Sequence, residues 1–140
     1  MAHEIDIHDG SVRLNGGPLL SRDARVQQLR AMGLSINQVF EMQTGWRFLT
    51  SGPYTLLGKS ANLALAFFND ELKRVHFAMS DSGATTPDQI RHLHDTLLLT
   101  EFGAPQVQDS RKTMYVFPWG TIVSAFDPRG GQSEIVLTWQ

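Results

Sequence analysis

The stretch from Thr113 to Trp139, TMYVFPWGTIVSAFDPRGGQSEIVLTW, constrains the fold most, because its pattern suits antiparallel strands. On one arm Thr121, Val123 and Ala125 alternate with Ile122, Ser124 and Phe126. On the other, Ile135, Leu137 and Trp139 alternate with Glu134, Val136 and Thr138, so the first three share one apolar face. Between the arms lies Asp127-Pro128-Arg129-Gly130-Gly131. Pro128 fixes φ, Asp127 can accept from the backbone ahead of it, and the glycines permit positive φ, so the segment predicts a hairpin turn.

Earlier in the chain, Glu4 to Leu14 reads as a short hairpin turning at Asp9-Gly10, with Ile5 and Ile7 on one face. Ser21 suits the N-cap of a helix over Arg22 to Met32, closed by Gly33 and carrying a thin apolar stripe of Val26 and Leu29. Leu34 to Gly52 has little pattern. It predicts an irregular or short-strand segment whose Val39, Phe40, Trp46 and Phe48 dip into the core. Strands follow over Tyr54 to Gly58, Leu63 to Phe68 and Leu72 to Met79, the last two joined tightly at Asn69-Asp70-Glu71. In the third, Val75 and Phe77 point opposite to Arg74, His76 and Ala78, giving one core face and one wet face.

The second helix has the fullest punctuation. Thr86 is its N-cap, Pro87 takes the first position, and Gln89 completes a capping-box spacing. Ile90, Leu93, Leu97 and Leu98 form its apolar stripe, Gly103 ends it and Pro105 prevents resumption. These elements predict an α+β fold: an antiparallel sheet of about six to eight strands with two helices packed on it. Each half runs helix, linker, strands. That order fits a tandem α-β-β-β arrangement, and it is also one that an unrelated α+β chain with hairpins can imitate.

The chain has 140 residues, a single-domain length spanning 1–140, and it is 41% hydrophobic and 19% charged with net charge −2. The charge is too slight and too scattered for nucleic acid or an anionic membrane surface. Without cysteine, disulfides, thiolate catalysis and Cys-ligated zinc are excluded. The N-terminal MAHEIDIHDG lacks the apolar segment of a secretory signal, and Thr44 to Lys59 is too polar and broken to span a bilayer. A cytoplasmic location is expected.

Candidate sites are few. GPYTLLGKS (52–60) ends like a phosphate loop, but five residues rather than four separate its glycines and Pro53 lacks an N–H; it reads as strand and turn. His92 and His94 are two apart on a helix and diverge by about 200°, so they cannot share a metal. His92 suits an ion-paired surface site and His94 the core edge. Glu4, Asp6 and His8, with His3 nearby, make a loose metal-like set better read as a polar strand face. No metal and no cofactor is expected, and no nucleophile–base pair stands out. Trp139 reads as core. Trp46 and Trp119 are either packed aromatics or exposed anchors for a partner. Arg129, at a hairpin tip, suits a polar rim contact.

Gly103, Pro105, Trp119, Gly120, Asp127, Pro128 and Arg129 carry a resemblance. A helix ending Gly-x-Pro, then an aromatic-Trp-Gly strand, an Asp-Pro-Arg turn and an apolar return strand is similar to a pattern in small uncharacterised bacterial proteins. Some of these resemble immunity proteins, which bind and neutralise a cognate toxin in the bacterial cytoplasm. The resemblance, which carries no catalytic residue, together with the lack of a catalytic or metal motif, leads to the expectation of a non-enzymatic protein-binding protein acting by occlusion. Interface chemistry, not the resemblance, makes Trp46, Trp119 and Arg129 the candidate partner contacts. The alternative is a small-molecule-binding domain or enzyme with its pocket between helix and sheet.

Overall fold

A computed structural model describes residues 4–140. Its element order is β1 (Val12–Arg13), β2 (Leu19–Leu20), α1 (Val26–Ala31), β3 (Gln38–Glu41), β4 (Trp46–Leu56), β5 (Lys59–Phe68), β6 (Glu71–Ser80), α2 (Pro87–Phe102), β7 (Val107–Gln108), β8 (Lys112–Phe117), β9 (Gly120–Asp127) and β10 (Gln132–Trp139). The fold is α+β. β1 and β2 form a small two-stranded sheet, and the other eight strands form one antiparallel sheet in the order β3-β4-β5-β6-β10-β9-β8-β7. Each half is a helix followed by a four-strand meander, one strand more than the repeat unit read from sequence. The two meanders join through their last strands, β6 and β10.

The tight turns follow from local chemistry. Leu57 and Gly58 have φ of 52° and 80°, and Asn69 and Asp70 have φ of 49° and 70°, the left-handed pairs that two-residue hairpins need. Asn and Asp tolerate that region through their short polar side chains. At the last hairpin the Asp127 carboxylate accepts from the Arg129 N–H at 2.9 Å, and Gly131 takes φ of 70°.

One sheet face is the core. Leu63, Leu65, Val75, Phe77, Ile122, Ile135 and Leu137 lie on it, all at most 3% exposed. α1, through Val26 and Leu29, and the β1–β2 segment, through Val12 and Leu20, join the same cluster. α2 lies across β6, β9 and β10. Ser133 Oγ donates to the Pro87 carbonyl at 2.7 Å and the Tyr115 hydroxyl to the Gly103 carbonyl at 2.8 Å, fastening both ends of the helix. Thr86 and Gln89 make the reciprocal cap bonds expected of them.

Several expectations are corrected. α1 begins at Val26, not Arg22, because Asp23 takes φ of 61° and the chain there pairs with the start of β6, Asp23 N–H to the Leu72 carbonyl and Leu72 N–H to the Ala24 carbonyl. Of the two readings of Leu34 to Gly52, the strand one holds: the segment contains the short β3 and the start of β4, which runs on as one long strand to Leu56. Val39 and Phe40, expected in the core, are 47% and 51% exposed, because β3 is the outermost strand. Ile7 is 44% exposed while Ile5 is buried, so the two do not share a face; Ile5 bridges to Val12. On α2 the fully buried residues are Leu98 and His94, whereas Ile90, Leu93 and Leu97 are half-buried. No helix among the described residues is long and apolar enough to cross a membrane.

Candidate binding surface

The alternation that sends Val75, Phe77, Ile135 and Leu137 to the core turns the residues between them to the other face. There His76 stands opposite Val136 and Arg74 opposite Thr138 across the central β6–β10 pair. Val136 faces Val123 on β9, and Val123 faces Met114 on β8. On the other side His76 and Arg74 neighbour Ala64 and Ala66 of β5, which neighbour Thr50 and Phe48 of β4. The helices and the β1–β2 segment join the core on the opposite face, so this one is left bare.

Two polar features are set into it. The Arg74 guanidinium sits 5.0 Å from the Trp46 ring centroid, a cation–π contact, and Trp46 packs against Phe68 and Phe48 at 5.2 and 6.2 Å. His76 Nδ1 lies 3.0 Å from a Glu134 carboxylate oxygen, and the two side chains are 21% and 16% exposed. Arg74 Nε and His76 Nε2 are buried without a hydrogen-bond partner. Beside the pair is a cleft of about 510 Å³ lined by Gln38, Thr50, Asn62, Gln132 and Glu134 among others.

The structure places the sequence-derived candidates in three different settings. Trp46 is half-buried on the bare face beneath Arg74. Trp119 is 6% exposed on the covered side: its indole stacks on Phe117 at 4.9 Å, and Arg22 donates to its carbonyl at 2.8 Å. It is a packed aromatic. Arg129 is exposed on the β9–β10 turn. β4 and β10 register against their neighbours so that Trp46 and Trp119 lie toward one end of the strands and Arg129 toward the other. The three are not brought together.

The remaining candidates resolve into structural roles. Gly58 completes the β4–β5 turn, and Lys59 begins a strand and pairs with Asp81 at 3.4 Å. Glu4 accepts from the Leu57 N–H at 3.0 Å, and Asp6 from the His8 N–H at 2.8 Å. His3 lies outside the described residues, and among those described no group of three or more potential ligands gathers for a metal. His92 is exposed, whereas His94 is fully buried, its Nε2 accepting from the Met79 N–H at 3.1 Å. Burial pushes the His94 imidazole down to about 4.

The His76–Glu134 pair was missed in the sequence. The wet face of β6 pointed to His76, but its partner lies 58 positions away on a strand whose neighbours local pattern does not specify. No protein-family model matches the chain, and no curated protein or solved structure shows significant similarity to it.

Proposed function

We propose that this chain is a non-enzymatic binding protein that covers a protein partner with the bare face of its sheet, as an immunity protein covers a toxin. The observation that supports this reading is the asymmetry of the sheet. One face carries both helices, while the other presents Val123, Val136 and Phe48 beside Arg74, Trp46 and the His76–Glu134 pair. Apolar surface flanked by an arginine and aromatics is the chemistry that dominates protein interfaces. Arg129, at the end of the same sheet, supplies a rim contact in this reading.

The test is capture of a partner on immobilised protein, followed by affinity measurement with face-specific variants. Val123→Asp and Val136→Asp, on the bare face, should abolish binding with the fold intact by circular dichroism. Leu99→Gln, on the outward side of α2 where Leu99 is 55% exposed, should bind as wild type. Equal binding by all three would overturn the reading.

The cleft beside His76 and Glu134 supports a second reading, a small-molecule site on the bare face rather than between helix and sheet. Protection of the native state by a soluble metabolite, lost in Glu134→Gln and kept in Val123→Asp, would favour it.

A further inference from the structure

The sheet is bare along an edge as well as over a face. β3 is its outermost strand, four residues long and exposed at every one. Natural sheets guard such edges with charged side chains, lysine above all, with proline, a bulge or extreme shortness. β3 carries one such charge, Glu41, which lies 3.5 Å from Arg47 of its own chain. From Gln38 to Met42 the sequence is Gln-Val-Phe-Glu-Met, with no lysine or proline, and Val39, Phe40 and Met42 are 47%, 51% and 55% exposed. At the opposite edge β7 has only two residues, too few to template much.

We propose that β3 is a homodimerisation edge: two copies pair antiparallel through it, with Phe40 on the two-fold axis, joining their large sheets into one.

The backbone sets the register. Met42 N–H donates to the Trp46 carbonyl at 2.9 Å, and Phe40 stands opposite Phe48 and Gln38 opposite Thr50. Hydrogen-bonded pairs alternate along an antiparallel ladder, so Phe40 and Met42 turn their N–H and C=O groups inward to β4. At the Gln38 end the alternation is broken, the Asn37 N–H also donating to the Thr50 carbonyl at 2.8 Å. Val39 and Glu41 turn theirs outward. A two-fold pairing must join outward groups to outward groups, and centring it on Phe40 sets Val39 opposite Glu41 of the second copy, twice over. Every outward group of these two residues is then bonded.

Side chains favour the same register. Phe40 meets Phe40 in a non-hydrogen-bonded pair, where side chains approach closest and aromatic pairs are favourable. Glu41 is already 3.5 Å from Arg47 in its own chain, so its charge is compensated when Val39 arrives opposite. A shift of the register one way sets Glu41 against Glu41; a shift the other way sets Phe40 against Gln38 and leaves Met42 unpaired. Because the axis is perpendicular to the sheet, both bare faces look the same way. Because β7 offers no comparable edge, the assembly closes at two copies.

Phe40 lies in the same row as Phe48 of the bare face, but Val39 stands opposite the buried Leu49, so charge variants at Val39 test the pairing apart from partner binding. Sedimentation velocity on the wild-type protein should show a concentration-dependent shift from monomer to dimer mass. Val39→Glu sets two like-charge pairs against Glu41 and should weaken the dimer by roughly tenfold. Val39→Lys sets opposite charges there and should leave it intact or tighter. The chain has no cysteine, so single-cysteine variants report geometry directly. Phe40→Cys should cross-link between copies on mild oxidation, whereas Val39→Cys, displaced about 7–8 Å from its symmetry mate, should not. Monomer mass at every concentration would overturn the proposal, as would equal behaviour of the two charge variants or cross-linking at 39 as fast as at 40.

Discussion

The indole N–H of Trp119 donates to the carbonyl of Ile7 at 2.9 Å, linking positions 112 residues apart. The ring also lies against Gly10, where an added Cβ would stand 2.6 Å from it. Trp139 makes the same bond two residues further along the loop, donating to the Asp9 carbonyl at 3.0 Å. Two tryptophans, one from the β8–β9 turn and one at the end of β10, thus hold the N-terminal loop down. Trp119→Ala should cost about 3–5 kcal/mol, as large aromatic truncations do. Trp119→Phe keeps the stacked ring but leaves the Ile7 carbonyl without its donor, and should cost about 1 kcal/mol. Urea denaturation of the two variants checks the ratio.

His94 makes stability fall in mild acid. Its imidazole titrates near 4 in the folded chain and near 6.5 when unfolded, so the unfolded state takes up the proton first. The stabilisation from keeping it neutral is complete above about pH 6.5 and is lost as pH drops toward 4. The whole effect is about 3 kcal/mol at 1.36 kcal/mol per unit. Denaturation midpoints at pH 7.5 and 4.5 should show the drop, and His94→Leu should reduce it. At pH 7.5 that variant should itself be less stable, since the Met79 N–H loses its buried acceptor.

The four residues of the α2 apolar stripe are not equivalent, Leu98 alone being fully buried. Leu98→Ala should cost about 2–5 kcal/mol because Leu98 is fully buried. Leu93→Ala, at a half-buried site, should cost about 1 kcal/mol. Thr86→Ala should cost about 1 kcal/mol by removing the acceptor for the Gln89 N–H. Chemical denaturation of the three variants orders them.

Arg129→Ala should change stability by less than about 0.5 kcal/mol, since the side chain is exposed and the turn is held by the Arg129 backbone N–H. Under the proposed function the same change weakens the partner complex. Melting temperature and affinity, measured together, separate the two effects.

What could be read from the sequence was whatever lies within one turn of chain. The Thr86-Pro87-Gln89 start, the Asn69-Asp70 connection and the Asp127–Gly131 hairpin each carry their own instructions, and the alternation around Val75 and Ile135 assigns faces without further help. What could not be read depends on partners far away. β3 shows no alternation because all four of its residues are exposed, and β4 is broken by Gly52-Pro53, where its register against β5 shifts. α1 lost its first turn to pairing between 23–25 and the start of β6, which nothing near Ser21 announces. Of the binding surface, His76 and Trp46 could be seen singly. That Glu134 meets His76 and Arg74 meets Trp46 follows only from the sheet order.

That order also sets a timetable. β10, which follows the sheet's other seven strands in chain order, is inserted at the middle of the sheet rather than added to its rim. While the ribosome writes residues 81–139, the finished first half exposes the flank of β6, with Val75, Phe77 and Met79 alternating along an unpaired backbone. Synthesis at roughly 5–20 residues per second makes that interval a matter of seconds. Until residues 132–139 emerge, β6 has no strand on that flank, and the two halves of the sheet cannot be joined.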